Sequence, residues 1–428
     1  MSKYEQYEKQ TNFDVPETML AVRLAGKGFE NLRFEQIPVP QVGENQLLAR
    51  VDAAGVCTSI LKIIAQGSDH TYINGWDLNR WPVILGDEGS VTLVKIGKNL
   101  QNQYKLGQRF AIQPAVDVAP ICHRERYRNN AEGMKKCAVG YTLNGNLAQY
   151  ILIQEEVIQG QCLIPLPDDN LAYFAVSMAE PISCVHSAQD RQFHIYKAGP
   201  FEPRIPKLGM LKDGTTVVIG AGAMGRMHVE LAMRFRPKNI IVADLIDERL
   251  ERVRNSLGEK ATKLGINLIT TNGNELKDTL MKITNGAGAD DIVFAVGVQA
   301  VQQAGLELLG KGGVANLFGG LPKGKNILQV DAIAVHYNEI KLVGSSGGEP
   351  SDMKAVLDAY VSHDIDPGNY VCGIGTLKHA LKVLELIKEA KVDGKVILYP
   401  HADVDELSFV DYWNKEKEIE FLEKHLNS

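Results

Sequence analysis

The stretch from Thr215 to Asp244 constrains this chain more than any other. TTVVI is a short β-branched run, GAGAMG follows it, MGRMHVELAMRF has helical spacing, and NIIVAD closes on an acid. Gly220, Gly222 and Gly225 thus form G-x-G-x-x-G between a strand and a helix. A lone match to that pattern is weak, but strand, turn, helix and distal acid together specify a dinucleotide-binding turn. Gly220 permits the tight reversal, Gly222 lets the backbone approach a pyrophosphate, and Gly225 lets the helix pack close to the strand. The helix start at Ala223 and Met224 offers free N–H groups and a positive dipole end to phosphates. Asp244 is expected to accept hydrogen bonds from the adenosine ribose and to repel a 2′-phosphate, which favours NAD and leaves NADP possible. Arg249 belongs to the same rim and weakens that preference; its side chain is expected to face solvent.

Strands alternating with helices continue past this turn, with DERLERVRNSLGEKATKLG, DIVFAVG, AVQQAGLELLGKG and GVANLFG, and imply a doubly wound parallel sheet. The chain before it reads differently. MLAVRLA, NLRFEQIPV, QLLARVDAAGV, SVTLVKIG and RFAIQPAV are short β runs punctuated by Gly and Pro, too closely spaced for crossover helices. LAQYILI is another strand, and residues 117–146 are polar and irregular. Helical spacing starts in LAYFAVSMAEPISCVHSAQD, and a Gly/Pro-rich stretch at 195–214 is a plausible domain joint. After about residue 340 come strand IKLVGSSG, helices MKAVLDAYVSHD and LKHALKVLELIKEA, and strand KVILYP. The division expected is 1–190, completed by 338–428, against 191–337. Residues 1–17 look like a loose leader or surface strap. The last 28, with Phe409, Trp413, Ile419 and Leu422 spaced among charges, fit an amphipathic helix that packs as a strap more readily than it serves as a lid.

Composition removes several classes of function. A formal net charge of −6 argues against nucleic acid and anionic membrane surfaces. Six cysteines without C-x-x-C spacing and no N-terminal apolar run suggest free thiols in a cytoplasmic protein. No run approaches the ~18 apolar residues of a membrane span.

Cys57 in GVCTSI, Asp87 and Glu88 in LGDEGS, and Glu180 in MAEPISC are each unremarkable alone; a single cysteine is usually a small buried hydrophobe. Taken with GAGAMG and GKVILYP, the series resembles the zinc-dependent medium-chain dehydrogenases over about residues 19–400. Within that family it is most similar to the polyol and sugar-phosphate branch, the L-sorbose-1-phosphate reductase group in particular. The resemblance implies an α/β chain with a GroES-like β-barrel catalytic domain beside the Rossmann domain. It implies an NAD(P)-dependent oxidoreductase acting on a polyol, sugar phosphate or other secondary alcohol or ketone. It implies one catalytic Zn²⁺ per chain, with Cys57, Asp87 and Glu180 as ligands and Glu88 beside them, able to replace water on the metal. Ser59 stands at the hydroxyl that relays the substrate proton.

Two departures stand out. Asp87 occupies the family's histidine position, and Ile60 replaces the aspartate after the relay hydroxyl. Three anionic ligands leave one negative charge in excess of a divalent cation, weaken it as a Lewis acid and tilt preference toward harder ions. The family's second zinc needs four cysteines; between 113 and 146 only Cys122 and Cys137 are present, so a structural zinc is expected to be absent. Cys122 and His123 are adjacent and rarely could share one metal. Lys62, His70 and Arg80 are candidate contacts for a sugar phosphate, or else a solvated basic patch. His186 reads as a packed histidine rather than a base. Two alternatives stay open: a zinc-free reductase and a non-catalytic dinucleotide-binding sensor. The expected partners are a small-molecule substrate and a second or further copies of the chain, as a homodimer or homotetramer, with no nucleic acid and no membrane.

Overall fold

A computed structural model describes residues 1–322 and 324–427. The chain packs as two units: Met1–Pro181 with the chain from Glu349 onward, and Ile182–Gly348. The division falls at Pro181, inside the helix Tyr173–Asp190, and again just before the helix Pro350–Val361. The sequence had pointed to 190/191 and 337/338. Among the described residues no helix is long and apolar enough to cross a membrane.

The first unit is built on Leu47–Gly55, a strand buried along its whole length. One side pairs antiparallel with Glu88–Ile96. The other pairs with Tyr150–Ile153 near its start and with Lys395–Leu398 at its end. Arg109–Ile112 and Leu163–Pro165 extend the sheet one way, and Val371–Gly375 and Ser408–Phe409 the other. A second sheet sets Thr18–Leu24 between Leu32–Pro38 and Val83–Ile84. The core beneath draws on Leu47, Val51, Val91, Phe110, Ile153, Val396 and Leu398, all essentially inaccessible.

Both chain ends are fastened to this unit. The N-terminal segment is packed rather than loose: Lys3–Glu8 is a helix with a Ser2/Glu5 capping box. Tyr4 is buried, and Tyr7 donates from its hydroxyl to Asp52 Oδ1 at 3.0 Å while its ring lies 3.4 Å beneath the Arg50 guanidinium. Two tyrosines anchor a stretch whose composition is otherwise polar. The tail forms the helix Lys415–His425, with Leu422 and Trp413 buried and Phe409 exposed.

The second unit is a six-stranded sheet, parallel throughout, in the order Asn267–Asn272, Asn239–Asp244, Thr215–Ile219, Ala289–Phe294, Leu309–Asn316 and Lys341–Val343. Successive residues point to opposite faces. Val218 therefore joins Val229, Leu250 and Leu257 on one side, and Val217 joins Leu276, Leu280 and Phe294 on the other. The strand Asn267–Asn272 and the helix Leu276–Thr284 add to the elements expected from the sequence. That strand lies at the sheet edge with only Thr271 buried, so it lacks the apolar run of its neighbours. The stretch at 195–214 is no joint; Phe193–Tyr196 and Ile205–Leu208 pair as an exposed antiparallel hairpin.

Candidate active site

Strand register brings the distant acids and the thiol together. In the first unit Gly55 faces Glu88 across the antiparallel pair, and Ile397 faces Gly55 on the other side. Cys57, Asp87, Glu88 and Lys395 therefore meet at the end of one strand, although Lys395 is 307 residues from Glu88. Cys57, Asp87 and Glu88 bring one ligand atom each to within 4.8 Å of one another. Glu180 projects from the helix Tyr173–Asp190 near enough to act electrostatically on the Cys57 thiol and the Lys395 ammonium. Pro181, next to it, has no N–H to donate to the helix, so the turn at Glu180 is held less tightly by backbone bonds.

Around this point the hydrogen bonds are directional. Ser59 donates from Oγ to Asp87 Oδ2 at 2.8 Å, and its N–H points to Cys57 Sγ at 3.4 Å. Asp87 Oδ1 is buried without a hydrogen-bond partner, and so is Glu88 Oε2. Glu88 gives its other oxygen to the Lys395 ammonium, a pair that is almost fully buried. Room for Glu88 comes from Gly55: a Cβ there would lie 2.0 Å from Glu88 Oε2.

The electrostatics match an anionic cluster with one cation. Burial and then the neighbouring Asp87 push the Cys57 thiol well above its ordinary range. Burial, followed by repulsion from Glu88, lifts Asp87 to about 6, with the Ser59 hydrogen bond and Lys395 working against them. Burial opposes the charge on Lys395, but Cys57, Glu88 and Glu180 outweigh it and hold the ammonium protonated. Asp87 and Glu180 then exceed what Lys395 can balance, since Glu88 already claims it, and deprotonating the Cys57 thiol would add a further negative charge. An unpartnered buried carboxylate oxygen beside a thiol, in a cluster short of positive charge, fits a divalent cation.

Two participants were missed in the sequence. Lys395 opens the buried strand of GKVILYP, and a lysine at a strand start ordinarily reads as solvated. Tyr141 lies in the irregular stretch 117–146, yet it is buried, with its hydroxyl beside Ser59 and within the field of Asp87, Cys57 and Glu180. No pattern around Tyr141 could have signalled this.

The expected substrate cations separate. His70 stacks on Tyr141 with ring centroids 5.1 Å apart. Lys62 follows Ser59 by one turn, its N–H donating to the Ser59 carbonyl at 2.9 Å. Arg80 is exposed and lies over Trp81. In the same unit Cys122 and His123 do not act as a pair; the Cys122 N–H bonds to Glu156 Oε1, and His123 lies 3.9 Å from Glu125.

In the second unit the glycine turn has the geometry its sequence requires. Gly220 has φ +104°, a conformation costly to other residues. A Cβ on Gly225 would fall 1.8 Å from the Gly220 carbonyl oxygen, whereas one on Gly222 would meet nothing within 4 Å. No side chain caps the helix Ala223–Ala232, so the first-turn N–H groups at Ala223 and Met224 stay available to an anion. The open space at Gly222 and this uncapped end fit a pyrophosphate. Asp244 accepts from Ala221 N–H at 2.7 Å through Oδ2 and from Ile246 N–H at 3.0 Å through Oδ1. Each oxygen keeps a lone pair for a ribose hydroxyl. Arg249 does not simply face solvent: its Nη1 is 3.8 Å from Asp244 Oδ2, drawn in by that carboxylate. His186 is only partly buried and lies 3.5 Å from Asp190, one turn on.

Comparison with known proteins agrees with both halves. Residues 43–168 match the alcohol dehydrogenase GroES-like domain, and residues 223–362 match the zinc-binding dehydrogenase family. The chain is 31% identical over 398 residues to the uncharacterized protein YggP of Escherichia coli, covering 91% of this chain and 88% of that one. It is 29% identical over 350 residues to the L-sorbose 1-phosphate reductase of Klebsiella pneumoniae, covering 80% and 78%. Among solved structures, the 2R,3R-butanediol dehydrogenase of Bacillus subtilis superposes with a TM-score of 0.69 at 19% identity, over 89% of this chain and 99% of the other. The chain belongs to the zinc-type alcohol and polyol dehydrogenase family, with a GroES-like unit and a Rossmann-type unit.

Proposed function

We propose that this dehydrogenase moves a hydride between NAD, or less readily NADP, and a polyol, sugar phosphate or other secondary alcohol or ketone. The observation that carries the reading is Asp87: one oxygen fixes the Ser59 hydroxyl, and the other is buried and unpartnered beside the Cys57 thiol. Cys57, Asp87 and Glu180 would hold one divalent cation, zinc first. Glu88 stands next to them as a third carboxylate, restrained by Lys395. When bound, the cation would polarise the carbonyl or acidify the alcohol, and the nicotinamide would exchange the hydride.

The chain's own groups do the rest. Ser59 commits its proton to Asp87, so its oxygen presents lone pairs to the substrate O–H and passes the proton on. Lys395 pairs with Glu88 in a buried setting, which limits the repulsion that Glu88 exerts on the ligand cluster. In the second unit Gly220, Gly222, Ala223, Met224 and Gly225 would cradle the pyrophosphate, and Asp244 the adenosine ribose. Arg249 beside Asp244 lessens the penalty for a 2′-phosphate. We read no structural zinc, because the stretch that would hold it has two cysteines, of which Cys122 and Cys137 are both free thiols. Free thiols throughout also support a reducing compartment, and we place the protein in the cytoplasm. Exposed Ile333, Tyr337 and Leu342 on the second unit support a homodimer or homotetramer, which sedimentation would test.

Metal analysis of the purified protein, with a panel of polyols, sugar phosphates and simple secondary alcohols against NAD and NADP, tests the reading. Near-stoichiometric divalent metal and turnover are expected. A metal-free protein with no turnover would overturn it, and a Glu180→Ala protein with full turnover would remove Glu180 from the ligand set.

A further inference from the structure

The helix that carries Glu180 has no cap of its own. Ala172 precedes Tyr173–Asp190 and offers no side-chain oxygen, while a helix start leaves its first N–H groups in need of acceptors. Glu418, from the tail helix Lys415–His425, supplies them. Its Oε2 accepts the Tyr173 N–H at 2.8 Å, and its Oε1 accepts the Phe174 N–H at 2.7 Å. Glu418 is completely buried. A buried carboxylate is a costly cap, since a local Ser, Asp or Asn does the same work in contact with water. Its Oε1 has a second duty: it accepts from the Tyr399 hydroxyl at 2.8 Å, and that hydroxyl accepts the Trp413 indole N–H at 2.9 Å. Tyr399 directly follows the strand Lys395–Leu398. One carboxylate thus ties the start of the Glu180 helix to the end of the Lys395 strand.

Both elements run from this tie to the ligand cluster. Glu180 lies about 10 Å along the helix from Tyr173, and Lys395 about 13 Å back along the strand from Tyr399. Pro181 makes the anchor matter. It has no N–H to give the Ser177 carbonyl, so that bond does not lock the turns bearing Glu180 to the rest of the helix. The compact first unit ends at the same residue, and Tyr399 and Glu418 belong to that unit. The part of the helix that bears Glu180 is therefore held from within its own unit, at its start. The tail helix is itself pinned, since Glu423 accepts the N–H groups of Lys3 at 3.0 Å and Tyr4 at 2.7 Å. Metal–carboxylate bonds of about 2.0–2.2 Å tolerate little drift of a ligand oxygen. We propose that Glu418 is a positioning residue for the active site, fixing where Glu180 stands relative to Cys57, Asp87 and Lys395. The tail then serves the site as well as the fold. The inference rests on the dehydrogenase reading above, with Glu180 among the ligands, and adds a residue that touches neither metal nor substrate.

The test titrates Co²⁺ into chelator-treated, full-length wild type, Glu418→Gln and Glu423→Gln, and follows the visible absorption of the bound ion, the melting temperature and steady-state kinetics. Glutamine keeps the size of Glu418 but places an NH₂ where one carboxylate oxygen accepted, so one helix-start N–H loses its acceptor. Glu418→Gln should melt lower, bind Co²⁺ at least about tenfold more weakly and shift its absorption. Its kcat should fall with KM for NAD unchanged, because the nucleotide turn lies in the second unit. Glu423→Gln loosens the tail's hold on Lys3 and Tyr4, and should melt lower with Co²⁺ affinity and absorption as in the wild type. Wild-type affinity and absorption in Glu418→Gln, or losses of affinity in both variants that simply follow their melting temperatures, would overturn the positioning role. A wild type that takes up no divalent cation sinks the ligand reading and the role together, a result distinct from equal binding by wild type and variant. Should Glu418→Gln not fold, Tyr399→Phe removes only the strand half of the tie; a shifted Co²⁺ absorption then supports the role, and an unshifted one overturns it.

Discussion

Lys395 and Glu88 show what a single buried charge does in this chain. Glu88 is inaccessible, and among the described residues its ionic partner is Lys395, nearly as buried. Removing one member leaves the other charged in a low-dielectric interior, which costs about 3–5 kcal/mol. Lys395→Met should therefore lower unfolding stability by that order in chemical denaturation, and Glu88→Gln added to it should recover most of the loss. Additive losses in the double variant would show that the two residues do not act as a pair. Gly55 is tied to the same carboxylate. Its replacement by Ala would put a Cβ 2.0 Å from Glu88 Oε2, so Glu88 must swing away. Gly55→Ala should thus reproduce part of the Lys395→Met defect, with a cost of about 1–3 kcal/mol. These couplings explain what the sequence could reveal of the site. Cys57, Ser59, Asp87 and Glu88 sit in short motifs that a reader can pair with a chemistry. Lys395 and Tyr141 reach the site only through strand register and loop packing, and their local sequence carries no mark of it.

Among the elements, the glycine turn makes the sharpest distinction between folding and binding. A Cβ at Gly225 would meet the Gly220 carbonyl at 1.8 Å, and neither backbone segment can give way without moving the helix off the sheet. At Gly222 the same atom meets empty space. Gly225→Ala should lower the melting temperature. Gly222→Ala should melt as the wild type does, yet bind NAD at least about tenfold more weakly, because its Cβ takes space the pyrophosphate needs. Thermal unfolding and nucleotide titration of both proteins check this; a Gly222→Ala protein with unaltered affinity would mean that the phosphates lie elsewhere. The turn was legible because its flanking strand and helix are strongly patterned. Elements stabilised from outside were less so. The helix Tyr173–Asp190, which carries Glu180, has its first N–H groups bonded to Glu418 from the tail, Tyr173 at 2.8 Å and Phe174 at 2.7 Å. The tail could be read as a packing strap from its apolar spacing, but not as the cap of a helix some 245 residues away.

At the scale of the whole molecule, the switch from short, close strands to strand–helix alternation disclosed the two units, because the two periodicities are incompatible. The boundaries were hidden, since the first lies inside a continuous helix. What the sequence could not disclose is the balance of buried titratable groups, which sets how stability follows pH. Burial pushes Glu418 up to about 7, with its hydrogen bonds from Phe174, Tyr399 and Tyr173 opposing. A carboxyl raised in the fold favours the protonated native state. Its contribution is complete below about 4.5 and fades as pH climbs through about 7. Two histidines act in the opposite sense. Burial, then the charge of Arg234, takes His228 down to about 3; burial, then Arg50, takes His401 down to about 4. Each must stay neutral in the fold but gains a proton when unfolded below about 6.5, so its contribution is present above that value and is lost as acid is added. Between pH 4.5 and 6.5 two histidines therefore oppose one glutamate, and the wild type should melt at lower temperature as pH falls. Replacing both, as His228→Gln with His401→Gln, should remove that slope and expose the Glu418 effect: relative to wild type, the double variant should gain stability as pH drops from 6.5 to 4.5. Adding Glu418→Gln should flatten what remains. Melting curves across that range for the three proteins are sufficient, and parallel curves for wild type and double variant would show that these histidines are protonated in the fold.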